Sequence, residues 1–439
     1  MQQCRARRSP LRALGPLALL ASCAGPAPPE RIVLVVIDTL RRDVVGTYGG
    51  EAETPHLDAL AARGAAVPGM SSAFHQTTAS MAALFTGRTP SFETGDPART
   101  LPGTGETWCG MARFAAPGDT CIPQSLPTLA QRLHAAGYWT IGVFSNELMH
   151  APSGFARGFE DLVEVGAPEP DTPAWRARSW RRVHLAAAAA VARRLGDRFF
   201  LYVHLMDAHD YPPPGHAYTD GVREADRGVG ALLADLEHRG LLEGSVVVVT
   251  SDHGEQLGEM HPPFPRKALR SHYGNPSYEE VLAVPLIVAP LEERGWRPPR
   301  NTIELHDWIL RLAGAAPPEA PAKDLAEGEL FVSEGKYRTY RQNGWKSSFD
   351  RARERVVLFD LRADPREQHD LSATRPDVVA AHRERLDALT RKLAARGAWR
   401  SVLSPEERVR LEALGYVESP SDQPALDPAG ASMLDSHRR

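Results

Sequence analysis

Ile32-Val33-Leu34-Val35-Val36-Ile37-Asp38 is a run of six apolar residues closed by a carboxylate. Strict alternation would mark a strand with one wet face; an unbroken apolar run of this length marks a strand covered on both faces. Two later stretches repeat the pattern. Phe199 to Met206 ends in Asp207, His209 and Asp210, and Ser245 to Thr250 ends in Asp252 and His253. Tyr138 to Phe144 reads as another buried strand. Helical patterns lie between them, Thr128 to Ala136 stopped by Gly137 and Gly221 to Arg239 stopped by Gly240. Buried strands alternating with helices predict an α/β fold with a mostly parallel central sheet flanked by helices.

The pattern changes after about Ala315. Pro317 to Ala326 reads as a linker, and Leu330 to Phe359 carries short strand-like runs with turns such as Gln342-Asn343-Gly344. A small C-terminal antiparallel α+β subdomain is expected, with a helix from Pro376 to Ala395. A further helix starts at Ser404-Pro405-Glu406-Glu407, a capping-box pattern with Pro at the first helical position. The expected division is a leader and tether over 1–30, a catalytic domain over 31–315, the subdomain over 316–402, and a terminal helix with a polar tail over 403–439.

The composition is that of an ordinary globular chain. Of 439 residues, 42% are hydrophobic and 24% charged, enough to build a large core. A formal net charge of -4, without a basic stripe, gives no footprint for nucleic acid. Arg5, Arg7 and Arg8 precede the short apolar run Leu11 to Leu20, and Leu20-Ala21-Ser22-Cys23 follows. That is the plan of an export signal, too short for a membrane span. The Leu-Ala-Ser-Cys ending resembles a bacterial lipobox. It makes Cys23 the expected lipidation site and the chain a membrane-anchored lipoprotein of the cell envelope; the alternative is an ordinary cleaved signal with a chance cysteine. In an oxidising compartment Cys109 and Cys121 can form a local disulfide or stay as two thiols.

Asp38, Asp252, His253, Asp207, His209 and Asp210 all follow strand ends. Ligands of open α/β sheets bind outside the carboxyl ends of the strands. Each residue alone reads equally as a loop carboxylate or a helix cap; together they point to one acidic and imidazole-bearing edge. Gln76-Thr77-Thr78-Ala79-Ser80-Met81 leads hydroxyl groups into a helical pattern that stops at Gly87. Thr or Ser there can cap the helix. The same helix start can hold a phosphate or sulfate group on its free N–H groups, with a hydroxyl in line to attack it.

Several stretches, in order, resemble the sulfatase family. Ile32 to Asp43 with Tyr48-Gly49, Thr54-Pro55-His56-Leu57-Asp58-Ala59-Leu60-Ala61 with Gly64, and Thr86-Gly87-Arg88 carry its first half. Thr250-Ser251-Asp252-His253-Gly254-Glu255, Tyr278-Glu279-Glu280 with Val284 to Val288, and Phe359-Asp360-Leu361 with Asp364-Pro365 and Leu371 carry the rest. The resemblance implies an alkaline-phosphatase-like fold and a metal-dependent ester hydrolase. It implies that Asp38, Asp252 and His253 bind a divalent metal, with Thr77 as nucleophile and further ligand. His209 and His272 would contact the leaving group or the anionic oxygens. Thr78, Ser80 and Lys267 are the candidate substrate contacts, with Arg266 a further source of positive charge.

The chain departs from the family in two places. Many sulfatases open with two adjacent Asp residues, and the second position here is Thr39. The Cys-x-Pro-Ser-Arg pattern that yields formylglycine is replaced by Thr77-Thr78-Ala79-Ser80-Met81, so no formylglycine is expected. A Thr nucleophile resembles the phosphodiesterases and phosphotransferases of the same superfamily. The expected chemistry is therefore hydrolysis or transfer of a phosphate ester of a small-molecule, lipid or glycan substrate. The alternatives are a sulfuric ester hydrolase and a catalytically inactive binding lipoprotein. Mixed oxygen and nitrogen ligands fit Mn, Zn, Mg or Ca, and one His among carboxylates and a hydroxyl favours Mn or Zn over Ca.

Overall fold

The structure, a computed structural model, describes residues 27–89, 122, 126–149, 153–166, 173–210, 216–262, 272, 277–291, 297–316, 325–326, 328–334, 337–350 and 355–394. Cys23, Cys109, Cys121, Arg266, Lys267 and the helix expected from Ser404 lie outside these residues.

The strands are β1 (Arg31–Ile37), β2 (Ala65–Ala66), β3 (Trp139–Phe144), β4 (Asp161–Glu164), β5 (Phe199–Leu205), β6 (Ser245–Thr250) and β7 (Leu286–Ala289), followed by β8 (Leu330–Glu334), β9 (Tyr337–Gln342), β10 (Trp345–Asp350) and β11 (Arg355–Asp360). The first seven form one sheet in the order β2-β7-β6-β1-β5-β3-β4. β6, β1, β5, β3 and β4 run parallel, while β7 and β2 complete one edge antiparallel. The last four make a separate antiparallel sheet, β11-β10-β9-β8. The helices are α1 (Pro55–Ala62), α2 (Thr77–Thr86), α3 (Leu129–Ala135), α4 (Ala174–Ala177), α5 (Trp180–Ala192), α6 (Tyr218–His238), α7 (Glu279–Leu282), α8 (Thr302–Leu312) and α9 (Pro376–Ala394).

The unbroken apolar run of β1 has a direct explanation. Its side chains alternate between two separate cores. Ile32, Leu34 and Val36 pack into one with Met81 and Phe85 of α2, Leu129 of α3 and Leu305 of α8. Val33, Val35 and Ile37 pack into the other with Leu57 of α1, Val183 of α5 and Val229 of α6. Polar residues would be desolvated on either face, so neither parity tolerates them. β1 lies between β5 and β6, in register Val36↔His204 and Val36↔Thr250. Two residues beyond Val36 and Thr250, on the same side of the pleat, come Asp38 and Asp252. Strand parity and register thus set the two carboxylates abreast before any loop is considered.

α6 starts at Tyr218, three residues before the position expected from periodicity. The carboxylate of Asp220 reaches back to accept from the Ala217 N–H (2.9 Å), which caps an additional turn. That turn also matters for the site, because the Tyr218 hydroxyl donates to Thr39 O (2.6 Å) and accepts from Arg41 N (3.0 Å).

The antiparallel sheet packs α9 against Phe331, Tyr340 and Phe349. β8 touches the main body where Leu330 and Val332 meet Phe74, Ala79 and Ala83 around α2. A buried charge cluster closes the junction. Lys346 Nζ lies 3.1 Å from Glu279 and 2.8 Å from Glu367, and Arg341 lies 3.3 Å from Glu279.

Candidate active site

Four parallel strands deliver polar groups to one point. Asp38 follows β1, Asn146 follows β3, His204 lies near the end of β5, and Asp252 follows β6. All four side chains are buried. Asp38 Oδ2 is the hub. It accepts from Asn146 Nδ2 (2.8 Å), and His204 Nε2 stands 3.0 Å away. Thr77 Oγ1 lies 3.4 Å from the same oxygen and 3.3 Å from His253 Nε2, which is 3.4 Å from Asp252 Oδ2. Asp252 is held by its other oxygen, which accepts from the backbone N–H groups of Thr39 (3.1 Å) and His253 (2.8 Å).

This donor set fits a divalent cation. Asp38 Oδ1 and Asp252 Oδ2 are buried and make no hydrogen bond. Donor atoms of Asp38, His204 and Asp252 all lie within 4.8 Å of one another. Two desolvated carboxylates facing each other require positive charge between or beside them. Ligands bound at about 2.0–2.4 Å to one ion stand roughly 3 Å from their neighbours, which is the spacing found around Asp38 Oδ2 and Thr77 Oγ1. Burial alone would push the Asp38 carboxyl up. The His204 hydrogen bond and the charges of His209, His204 and His253 outweigh it and hold Asp38 far below the usual carboxylate range.

The backbone around the site is constrained. Thr39 has φ 58°, a left-handed conformation that β-branched residues rarely adopt. Its hydroxyl donates to Asp38 O (2.7 Å), so the side chain does not replace the second carboxylate of the family pattern. A Cβ on Gly254 would stand 2.0 Å from Glu280 O, and the Gly254 N–H donates to Val281 O (2.7 Å). Only glycine lets the chain after His253 pass this close to α7.

Thr77 is the first residue of α2, and Gln76 before it provides no side-chain cap. Thr and Ser therefore do not cap this helix. The opening N–H groups, which have no acceptor within the helix itself, sit beside the Thr77 hydroxyl. The positive end of the helix thus faces the same space as the metal-type donors. Thr78 is buried at the second position. Ser80 is turned into its own fold, donating to Phe74 O (2.7 Å) and meeting Ser72 Oγ at 2.8 Å. α2 ends at Gly87, φ 67°, as the sequence indicates.

Two histidines face this centre, each held at Nδ1 by a carboxylate. His209 Nδ1 lies 2.8 Å from Asp210 Oδ1, and His272 Nδ1 lies 2.9 Å from Glu255 Oε2. The ring of His272 is 4.5 Å from that of His253 and 6.1 Å from that of His209. Their basicities diverge. Burial lowers His209, but the Asp210 hydrogen bond and the charges of Asp38 and Asp210 raise it to about 9. Burial also lowers His272; Glu255 opposes this, but the neighbouring His253 and His209 keep His272 below its ordinary value. Asp207, the third polar residue after β5, faces elsewhere. Its Oδ1 accepts from Trp180 N (3.1 Å) at the start of α5, and burial pushes its carboxyl up to about 7.

Residues 30–295 match the family model described as Sulfatase. The chain belongs to the sulfatase family. Members of this family are ester hydrolases. Mouse steryl-sulfatase is 26% identical over an alignment that covers 87% of this chain and 84% of the relative. Among solved structures, a 2-O GAG sulfatase superposes with TM-score 0.64 at 18% identity, covering 87% of this chain and 96% of the other. A protein of the alkaline phosphatase superfamily from Vibrio parahaemolyticus superposes with TM-score 0.59 at 17% identity, covering 84% and 88%. These two likenesses establish an alkaline-phosphatase-like fold for this sulfatase-family chain.

Asp38, Thr77, Asp252, His253, His209 and His272 thus lie around one centre. His204, Asn146, Glu255 and Arg178 were not legible as site residues. His204 is hidden inside an apolar strand, yet its register opposite Val36 was a usable signal once β1 and β5 were paired. Asn146, in Ser145-Asn146 after a strand, had the same positional signature as Asp38 but no charge to draw attention to it.

Proposed function

We propose that this sulfatase-family chain hydrolyses phosphate esters, monoesters or diesters, through a covalent intermediate on Thr77. The observation that carries this reading is the position of the Thr77 hydroxyl, 3.4 Å from Asp38 Oδ2 and 3.3 Å from His253 Nε2 at the start of α2. Asp38, Asp252, His253 and Thr77, with His204 beside them, would hold the divalent ion, Mn or Zn by donor type. A dication bound there supplies positive charge against the ester oxygens and lowers the pKa of an oxygen bound to it.

The protein's own groups account for the remaining steps. The opening N–H groups of α2 bind the non-bridging oxygens and place phosphorus over Thr77 Oγ1. Thr77 Oγ1, its proton lost to solvent beforehand, forms the new P–O bond as the bond to the leaving alcohol breaks. His209 Nε2 gives its proton to the departing oxygen. Water then attacks the phosphorus of the phospho-threonine, returning its proton to His209; the P–Oγ1 bond breaks, the Thr77 oxygen anion is restored, and phosphate or its monoester leaves. An alcohol in place of water would make the same cycle a transfer.

The names of the relatives favour sulfuric esters as a second reading. The chemical objection is the release step. A threonine sulfate must be freed by attack at sulfur, whereas a formylglycine hydrate expels sulfate through its second hydroxyl. The discriminating assay uses the purified chain with Mn or Zn and sets aryl phosphate monoester, aryl phosphodiester and aryl sulfate side by side. Phosphoester turnover that disappears in Thr77→Ala supports the proposal; preferential sulfate turnover replaces it with the second reading. Absence of turnover and of bound metal would favour a binding protein. The natural substrate is read as a small-molecule, lipid or glycan ester met at the cell envelope, with the chain tethered through Cys23. Loss of the protein from the membrane fraction in Cys23→Ser tests the tether.

A further inference from the structure

Two carboxylates back the two site histidines, and they are held differently: Glu255 Oε1 accepts from a backbone N–H, Gln256 at 3.2 Å, whereas Asp210 meets an arginine. Arg178 Nη2 lies 2.7 Å from Asp210 Oδ1, the oxygen that also faces His209 Nδ1 at 2.8 Å. The three side chains are joined in turn, and the last is the most deeply buried. Their exposures fall from 10% at His209 through 9% at Asp210 to 1% at Arg178. Arg178 is among the largest fully buried side chains described. It lies at the junction between α4 and α5, and its partner lies beyond β5, so the pair ties two elements together behind the imidazole. A fully desolvated guanidinium beside a carboxylate has little rotational freedom, and the carboxylate it holds has little more.

We propose that Asp210 and Arg178 are positioning residues for proton delivery by His209, fixing its Nδ1–H tautomer and aiming Nε2 at the leaving oxygen. The inference rests on the reading of His209 as the proton donor given above. The reason for two groups rather than one lies in the adjacent sequence. His209 and Asp210 are chain neighbours, and a lone Asp at that place could swing to solvent or to another donor. Arg178 removes that freedom by holding the same oxygen that meets the imidazole. Glu255 gives His272 a carboxylate partner whose other oxygen accepts from Gln256 N–H (3.2 Å), while Arg41 Nη1 donates to the Glu255 backbone carbonyl (3.2 Å) and not to its carboxylate. The two histidines are therefore not equivalent in how firmly they are held.

The test reads leaving-group dependence. A proton donor matters most when the departing oxygen is strongly basic. The expected result for His209→Ala is a loss of about 10²-fold or more in kcat/KM on a phenyl or alkyl ester, and less than about fivefold on a 4-nitrophenyl ester of the same acid. Asp210→Asn should reproduce that selectivity. Arg178→Met should show the same selectivity with a smaller loss, and Arg178→Lys should recover part of it. In the double variant His209→Ala/Asp210→Asn, the poor-leaving-group ester should be cleaved no more slowly than in His209→Ala alone, because a residue that acts through His209 has nothing left to position. Equal losses on both esters in Asp210→Asn, or additive losses in the double variant, would overturn the relay and leave Asp210 and Arg178 as scaffold. If His209→Ala itself shows no leaving-group selectivity, the proton-donor assignment fails instead. Should Asp210→Asn fold poorly, Arg178→Lys and Arg178→Met carry the same comparison.

Discussion

The sheet edge and the histidine rim facing it are both made of buried carboxylates and imidazoles, but they are completed in opposite ways. On the rim each histidine has its own carboxylate, His209 with Asp210 and His272 with Glu255. At the edge Asp38 Oδ1 and Asp252 Oδ2 are buried without a hydrogen bond, and two acids crowd one space with Thr77 between them and His253. A folded chain does not leave such oxygens bare without something to gain from it. On the rim the oxygens that face the imidazoles are completed by protein; the edge is built for a charge from outside. The rim therefore aims groups, and the edge gathers charge.

The comparison breaks hardest at Thr77. Thr77→Ala should lower turnover by about 10⁴-fold or more, the scale seen when a nucleophile is removed. It should also abolish any covalent phospho-adduct caught by acid quench and mass spectrometry, while circular dichroism stays unchanged. Thr77→Ser should keep measurable turnover. An adduct on another residue would move the nucleophile and dissolve the role given to the edge.

A buried cluster at the junction with the antiparallel sheet supplies the control. Lys346 and Glu367 are fully buried and Glu279 is mostly buried, and they pair with one another inside the protein, like the rim and unlike the edge. Lys346→Met leaves Glu367 without its cation and Glu279 with Arg341 alone, and should cost about 3–5 kcal/mol in stability, measured by chemical denaturation. Burial alone would raise Glu279, but Lys346 and Arg341 lower it to about 2. A lowered acid stabilises the fold above its unfolded pKa near 4.5, and that contribution is lost as pH falls from there toward 2. The acid limb of the stability profile should flatten in Lys346→Met, whatever metal is present.

The edge should respond to metal where this cluster does not. Chelation should remove activity and lower the melting temperature, with Mn or Zn restoring both. At a metal concentration about a hundred times its Kd, the expected stabilisation is roughly 2.7 kcal/mol. An unchanged melting temperature after verified metal removal would mean that the edge, too, is completed by protein alone.

These contrasts also explain what could be read in the sequence. β1, β5 and β6 were legible because both of their faces are covered, so apolar character runs unbroken from Ile32 to Ile37. Asp38, Asp252 and His253 were legible because charge at the end of such a strand stands out. His204 was not, because a single imidazole inside Phe199 to Leu205 has the look of a core residue until register places it beside Asp38. Arg178 and Glu255 were hidden for a different reason. Their partners, Asp210 and His272, are 32 and 17 residues away, and nothing local marks either pairing. The start of α6 was misplaced by one turn because Asp220 caps it from inside the helix, a bond that apolar periodicity does not register. The hydroxyls of Thr77 and Ser80 looked alike in sequence, yet helix geometry turns one to the site and the other to Phe74 O.

The finest test of the comparison is Glu255→Gln. Its carboxylate accepts at 2.9 Å from His272 Nδ1, and an amide oxygen of the same length can accept there too. If the rim works by aiming, orientation survives the substitution here, where no arginine shares the accepting oxygen as Arg178 does at Asp210, and kcat/KM should fall by less than about tenfold, a loss of roughly 1.4 kcal/mol. The charge itself does less here than at the edge. Burial raises Glu255, while His272 and the other histidines lower it overall, so its stabilising contribution is present above the ordinary carboxylate pKa and lost as pH falls through it. Glu255→Gln should therefore weaken the fold at neutral pH slightly and leave it less sensitive to acid. A loss of turnover far beyond tenfold, with the fold intact, would mean that the rim supplies charge as well as direction. The division between a rim that aims and an edge that gathers charge would then hold for His209 but not for His272.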